Sequence, residues 1–462
     1  MTGEEKIQPP SLPSNARSSA AEQAKFIRQK LPATGLFAGH EWRISPKPFH
    51  LEADSLREIE SLGRVLLQFY RAVNLLYRRS FEGKQPAWIA ELLDQGKPRE
   101  LIELQREATF KNEVPRVIRP DLLPTDAGLI VAELDSVPGG IGLTAWLNQT
   151  YADLAARDQE PARKTSPIIG GARGMIEGFA SIFGEAKRVC VVVSDEAATY
   201  RPEMEWLAAQ AENLKLEICD SNFSAFQEGD AIYRFFELFD MANVANATQI
   251  FDLARQKKIR LTPPPKPIFE EKLLFALLWN RNLRDFWRQN LGENFLQRLL
   301  KMTPYSWVLD PTPLPPHAAI PELNLTNWEQ LKTLSQRERE LILKVSGFSD
   351  RAWGARGVFL GSDLSAEEWA AAVDGALADW GRTPSVLQRF HRPKTVEAEW
   401  FDFAAEKIVP MTGRVRLCPY YFVAGEGDAA RASLGGVLAT ICPADKKIIH
   451  GMREAILAPC SS

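Results

Sequence analysis

Residues 119–135, RPDLLPTDAGLIVAELD, place apolar and polar side chains in alternation on both sides of a Pro/Asp/Gly cluster. Residues 117–123 and 129–135 read as strands, and PTDAG as the chain reversal between them. Side chains alternate faces along a strand. Ile118, Pro120 and Leu122 then share one face of the first strand, and Ile130, Ala132 and Leu134 one face of the second. The opposite faces carry Arg119 and Asp121, then Glu133 and Asp135. Pairing of Leu123 with Leu129 makes the register sum even, so these four polar groups are expected on one surface. Asp126 falls in the turn and reads as solvated. Carboxylates on one sheet face repel each other unless positive charge lies among them. Arg119 supplies part of that charge, and a hard divalent cation such as Mg²⁺, which takes oxygen ligands, would supply more. The same residues also suit the solvated outer face of a half-exposed hairpin.

The rest of the chain narrows the choice. Its 462 residues allow two or three domains, and 45% hydrophobic with 25% charged content is ordinary for a globular protein. A net charge of −3 and the absence of a long basic stripe argue against nucleic acid as a partner. No apolar run approaches the about 20 residues of a membrane span. The N-terminal stretch MTGEEKIQPPSLPSNARSSAAEQ lacks the apolar core of a secretory signal, and its composition predicts a flexible tail over residues 1–35. Cys190, Cys219, Cys418, Cys442 and Cys460 are scattered without metal-ligand spacing and read as reduced thiols of a cytoplasmic protein. The five histidines are equally dispersed, so no zinc site is expected, and neither GxSxG nor a Walker-type phosphate loop occurs.

Residues 54–80 carry Ile59, Leu62, Leu66, Phe69, Val73 and Leu76 at alternating spacings of three and four, which predicts a long amphipathic helix. AWIAELLDQG and PRELIELQRE predict shorter helices before the hairpin. From residue 188 the pattern changes: RVCVVVSD is the β-branched run of a buried parallel strand. The helix RPEMEWLAAQAENL and the strand KLEICD complete a βαβ unit, with further strands at DAIYRFF and KIRLTPPP. GGARGM precedes the first of these strands and reads as a turn entering a helix. TPPPKP at 262–267 is a rigid connector, and LDPTPLPPHAAIP reads as a surface loop. Between them, IFEEKLLFALLWNRNLRDFW shows helical spacing.

Residues 341–391 hold the densest signal. LILKVSGF is a strand bearing Lys344, followed by GFSDRAWGARGVFLG with Gly347, Gly354, Gly357 and Gly361 in fifteen residues. Ser365 and Glu368 form a capping box for a helix over SAEEWAAAVDGALADW, and SVLQRF is a further strand. Backbone N–H groups approach anions closely where no Cβ intervenes, and a strand lysine beside such a loop supplies a fixed cation. A flexible turn would share the glycine count.

Taken together, these segments resemble the circularly permuted ATP-grasp enzymes, the group that includes the glutathionylspermidine synthase C-terminal domain. The resemblance runs in order from about residue 116 to the C-terminus. Its R-x-D and E-x-N elements appear as RPD and ELD, with an acidic spacing of 133 − 121 = 12. The N-K element with its apolar helix appears as EEKLLFALLW, the V-K-P element before a glycine-rich loop as LKVSGFSDRAWGARG, and the hinge strand ending in glutamine as VLQRF. Permutation accounts for an acidic hairpin that precedes the lysines in sequence.

The resemblance implies an α/β fold, with a permuted ATP-grasp core, a Rossmann-like pre-ATP-grasp layer and a helical N-terminal portion. The implied divisions are a disordered tail at 1–35, a helical portion with the metal-binding hairpin at 36–168, the pre-ATP-grasp domain at 169–265, and nucleotide-binding subdomains at 266–462. It implies ATP and Mg²⁺ as cofactors and small-molecule carboxylate and amine substrates, joined through an acyl phosphate with release of ADP and phosphate. Asp121, Glu133 and Asp135 would hold Mg²⁺, and Arg119 would lie near the transferring phosphoryl group. Lys272 and Lys344 would contact the nucleotide phosphates under the loop carrying Gly354 and Gly357. Gln388 and the backbone from Leu387 would bind adenine. The chain departs from the family at Asp135 and Glu271, where asparagine is expected, and in the 344 − 272 = 72 residues between the lysines. The family's C-terminal arginine has Arg416 or Arg431 as its nearest substitute, and Arg234 and Arg356 are further cationic candidates. A phosphotransferase, an inactive nucleotide-binding protein and a scaffold without a nucleotide site are the alternative readings.

Overall fold

The computed structural model describes residues 19–32, 42–157, 167–212, 214–315, 319–320, 322–352, 356–446, 449 and 454–462. Three sheets organise them. In the largest, the strands run in the order Phe49–His50, Ile456–Ser461, Arg431–Pro443, Lys407–Ala424, Val117–Thr125 and Gly128–Asp135, with Thr395–Asp402 also paired to Lys407–Ala424. The hairpin of residues 117–135 therefore lies at one edge of this sheet, joined to it where Leu417 pairs with Leu122 and Tyr421 with Ile118.

The hairpin is tighter than the sequence predicts, and its register is corrected by a bulge. Leu123 pairs with Ile130, not Leu129, around a turn closed by Thr125 and Gly128. The register then shifts between Asp121 and Leu122, which restores Asp121 opposite Glu133 and Arg119 opposite Asp135. Leu129 and Val131 consequently enter the core, and Ala132 is the extra residue. The four polar groups still share a face, by a different route.

The helix Ala53–Phe81 buries Ile59, Leu62, Leu66, Phe69, Val73 and Leu76, the predicted stripe. These residues share one apolar core with Leu274–Trp279, Arg284–Leu291 and the buried face of the hairpin. TPPPKP is not an exposed linker, since residues 261–269 are all buried. Residues 311–315 of the second proline-rich segment are exposed, as expected of a surface loop.

A second sheet, antiparallel, runs Val358–Leu360, Leu341–Val345, Ser385–Arg389, Ser306–Val308. Trp369 and Val373 of the helix Ala366–Ala378 are fully buried against its Leu341, Leu343 and Leu387, and the predicted Ser365–Glu368 capping box is formed. The third sheet is parallel, in the order Lys215–Cys219, Arg188–Val193, Ala231–Phe235, Arg260–Thr262. Its outward progression in both directions from Arg188–Val193 places a topological switch between that strand and Ala231–Phe235.

The predicted tail is corrected over part of its length. Ala20–Gln29 is a helix with a complete Ser19–Glu22 capping box, and it buries Ala24 and Ile27 beside Trp146 and Phe401. Residues 1–18 and 33–41 lie outside the described residues. Among those described, no helix is long and apolar enough to cross a membrane.

Candidate active site

A cavity of about 340 Å³ opens where the three sheets meet. Its wall includes Arg119, Asp121, Glu133 and Asp135 of the hairpin, Lys272, Lys344 and Gly347, Arg416, and Tyr200, Glu237 and Glu270 beside the parallel sheet. Residues as far apart in sequence as Arg119 and Arg416 thus face one space. The charges are arranged as alternating pairs. Arg416 bonds to Asp121 at 3.0 Å, Arg119 lies 3.3 Å from Asp121 and 2.9 Å from Asp135, and Lys272 lies 3.4 Å from Glu133.

The bulge contributes directly to this arrangement. An extra residue leaves its carbonyl outside the ladder, and the ammonium of Lys344 donates to Ala132 O at 2.9 Å. Lys344 emerges from a sheet-paired strand and is almost fully buried, so its position is fixed by both sheets. Burial lowers its pKa, with Glu133 opposing. Lys272 donates to Ala352 O at 2.7 Å, tying the wall to the glycine-rich loop. Gly347 permits that loop's closest approach: a Cβ there would lie 1.5 Å from Glu270 O.

Electrostatics differ among the carboxylates. Burial raises the pKa of Asp135, opposed mainly by Arg119. Burial also acts upward on Glu133, but Lys272 and Lys344 outweigh it and hold the group below its ordinary value. Glu133 keeps 42% of its side chain open to the cavity. For Arg119 and Arg416, burial disfavours the charge, yet the neighbouring aspartates raise both pKa values. Arg119 Nε stands 3.3 Å from Asp121 Oδ1 in the ion pair, and Arg416 Nε is buried without a hydrogen-bond partner. Guanidinium groups are suited to charge-assisted bonds with an anionic oxygen.

The oxygens of Asp121, Glu133 and Asp135 do not converge within 4.8 Å of one another. In this state, cations stand between them. Their all-oxygen chemistry fits Mg²⁺, with Glu133 the most accessible ligand.

Other predicted residues are placed as follows. Gly357 is buried against Val345 and does not line the cavity, and Gly354 lies outside the described residues. Gln388 shares the register position of Ile342, but its amide donates to Ser306 Oγ at 3.1 Å and it is 2% exposed. Leu387 packs in the core of the antiparallel sheet, and its strand is hydrogen-bonded on both sides, so its backbone is not presented to the cavity. Phe390, Ile342, Val358, Pro393 and Leu123 instead form the apolar part of the wall. Arg416 occupies the cavity, whereas Arg431 caps Asp428 O and Ala430 O at the surface. Arg234 is buried against Glu270 at 2.6 Å, and Arg356 pairs with Glu196 at 2.5 Å.

The sequence reading missed Tyr200, Glu237 and Glu270. Burial, then Glu270 and Asp135, raises the pKa of Glu237 well above the usual carboxylate range. Glu237 follows a parallel strand at the switch point, where crevices in such sheets form, and only the lateral strand order reveals that position.

Neither a family model nor a curated protein matches this chain. The fold does have a counterpart among solved structures. A glutathione synthetase-like effector from Globodera pallida, in its apo form, superposes with a TM-score of 0.57 at 11% identity, over 98% of this chain and 100% of that one. The two share a fold. A Methylobacillus flagellatus protein named for gamma-glutamylcysteine synthetase reaches a TM-score of 0.38 at 12% identity, over 86% and 88% of the two chains, too poor a fit to indicate a common fold.

Proposed function

We propose that the protein is an ATP-dependent carboxylate–amine ligase of the permuted ATP-grasp type, forming an amide and releasing ADP and phosphate. The observation that carries this reading is the meeting of Lys272 and Lys344 with the Arg119/Asp121/Glu133/Asp135 face in one cavity. The name of the Globodera protein, a glutathione synthetase-like effector, agrees with a ligase reading, although likeness of fold does not assign a reaction.

Lys272 and Lys344 would bind the nucleotide phosphates, exchanging contacts with Glu133 and Ala132 O for contacts with phosphate oxygens. The apolar wall at Ile342, Val358 and Phe390 is the surface suited to the base. Arg119 and Arg416 would direct their guanidinium groups at the transferring phosphoryl group and at the acyl phosphate. That intermediate forms when the substrate carboxylate takes the γ-phosphoryl group and ADP leaves; amine attack on its carbonyl carbon then expels phosphate and yields the amide. Asp121, Glu133 and Asp135 would hold Mg²⁺, which when bound neutralises charge on the phosphates. Catalysis by this set is positioning and electrostatics, and requires no protein nucleophile.

Calorimetric titration with ATP, with and without Mg²⁺, tests the site, and ADP release with pooled acids and amines tests the reaction. Binding of ATP in neither condition would reject the reading. A second reading, a nucleotide-binding protein without turnover, draws support from the arginine pairs that already neutralise Asp121 and Asp135. It predicts ATP binding with no ADP release from any acid and amine pair.

A further inference from the structure

Cys190 and Cys219 stand 29 residues apart in sequence, a spacing that suggests nothing, yet the parallel sheet makes them neighbours. Cys190 lies opposite Glu217 in the register of the two adjoining strands, and Cys219 lies two residues further along. All three side chains therefore project from the same face. Their ligand atoms lie within 4.8 Å of one another, the only such group of three among the described residues. From these residues and their surroundings we propose a binding site for a thiophilic divalent cation of the Zn²⁺ class, with Cys190 and Cys219 as thiolate ligands and Glu217 as the oxygen ligand.

Two features support a metal over other uses of the pair. Strands about 4.8 Å apart with an offset of two residues put the Cα atoms about 8 Å apart, beyond the ~7 Å that a disulfide spans. Two sulfurs bound to one tetrahedral zinc need be only about 3.8 Å apart, given Zn–S bonds of ~2.3 Å.

The carboxylate can be released to the metal without stranding a charge. Glu217 is held by Arg188 at 2.8 Å and Lys215 at 2.6 Å. Arg188 keeps a second partner, Asp230, at 3.1 Å, and Lys215 is exposed. Glu217 itself retains 31% exposure, which gives an ion an approach from solvent and leaves the fourth position to water. The sulfurs behind it are buried among Val192, Ile232 and Phe251. Binding would exchange two thiol protons for the cation and clip the edge strand Lys215–Cys219 to its neighbour.

The test titrates Co²⁺ into the full chain after chelation, then displaces it with Zn²⁺. One equivalent of Co²⁺ should give the near-ultraviolet thiolate-to-cobalt charge-transfer band, lost on adding Zn²⁺, with release of two protons per ion. Cys219→Ser and Cys190→Ser should each abolish a two-thiolate band, whereas Glu217→Gln should keep the band and weaken binding. The absence of a thiolate band in the wild type, or a band unchanged in both cysteine variants, would overturn the proposal. If a cysteine variant fails to fold, the wild-type band with unweakened binding in the soluble Glu217→Gln variant would also overturn it.

Discussion

Two sets of ion pairs meet at the cavity wall, and they differ in what can reach them. Buried within the wall, Lys97 and Glu271 bond with side chains 0% and 1% exposed, and Arg234 and Glu270 with side chains 1% and 6% exposed. Facing the cavity, Lys272 pairs with a Glu133 that is 42% exposed. Glu270, Glu271 and Lys272 are consecutive, so one short stretch of chain supplies both sets. Pairs whose side chains are sealed within the wall act on the fold. Pairs open to the cavity can trade a protein contact for a ligand contact, which is what a binding site requires.

The largest expected effect tests the sealed set. Lys97→Met leaves Glu271 buried with Ser346 as its remaining side-chain partner, and loss of one member of a buried pair costs about 3–5 kcal/mol. Chemical denaturation should show that loss, while ATP affinity of the folded fraction stays near wild type. An affinity loss without a stability loss would erase the distinction between the two sets.

Lys266 sharpens the sealed side through pH. It is 2% exposed and donates to Asn74 Oδ1 at 2.8 Å and Glu113 O at 3.1 Å, and burial lowers its pKa to about 7. The unfolded chain then holds a proton on Lys266, between about pH 7 and the ordinary lysine value near 10.4, that the folded chain has released. Stability should therefore rise with pH through that window. Lys266→Met should flatten the rise, and an unchanged slope in this variant would show that the charge is solvated.

Next in size is the open set. If the proposed nucleotide site holds, Lys344→Ala removes a cation whose hydrogen bonds to charged phosphate oxygens would each be worth about 1.5–3 kcal/mol. Calorimetry should show ATP affinity falling about 10- to 100-fold, with little change in denaturation midpoint because water can reach Glu133. Asp121→Asn should mainly reduce the dependence of ATP binding on Mg²⁺.

What the sequence revealed of this contrast depended on periodicity. The shared face of Arg119, Asp121, Glu133 and Asp135 follows from the period of two, and the helix Ala53–Phe81 from its stripe. The bulge at Ala132 did not, because one extra residue changes no composition and no local propensity. Gln388 and Leu387 were placed by resemblance at a hinge strand, but hydrogen bonding on both edges of that strand removes its backbone from the cavity. Glu237 and the Cys190–Cys219 pair escaped for one reason: each is made by lateral strand order, which local spacing does not encode. The early helix Ala20–Gln29 was hidden in a stretch polar enough to read as tail, although its Ser19–Glu22 capping signal was present.

The smallest effect asks whether openness alone makes a pair functional. Arg356, in the glycine-rich segment, reaches Glu196 after the first parallel strand, with side chains 50% and 39% exposed. This pair spans two elements of the cleft, as Lys272 and Glu133 do, but it lies outside the cavity wall. Exposed pairs are worth about 0.2–1 kcal/mol and weaken with salt. Arg356→Ala should therefore shift the denaturation midpoint barely at all, and any loss of ATP affinity should vanish at high ionic strength. A salt-resistant loss as large as that of Lys344→Ala would mean that the loop cation itself reaches the phosphates. The boundary between open and sealed pairs would then run along the loop, and the comparison would have to be redrawn around the loop's position rather than around exposure.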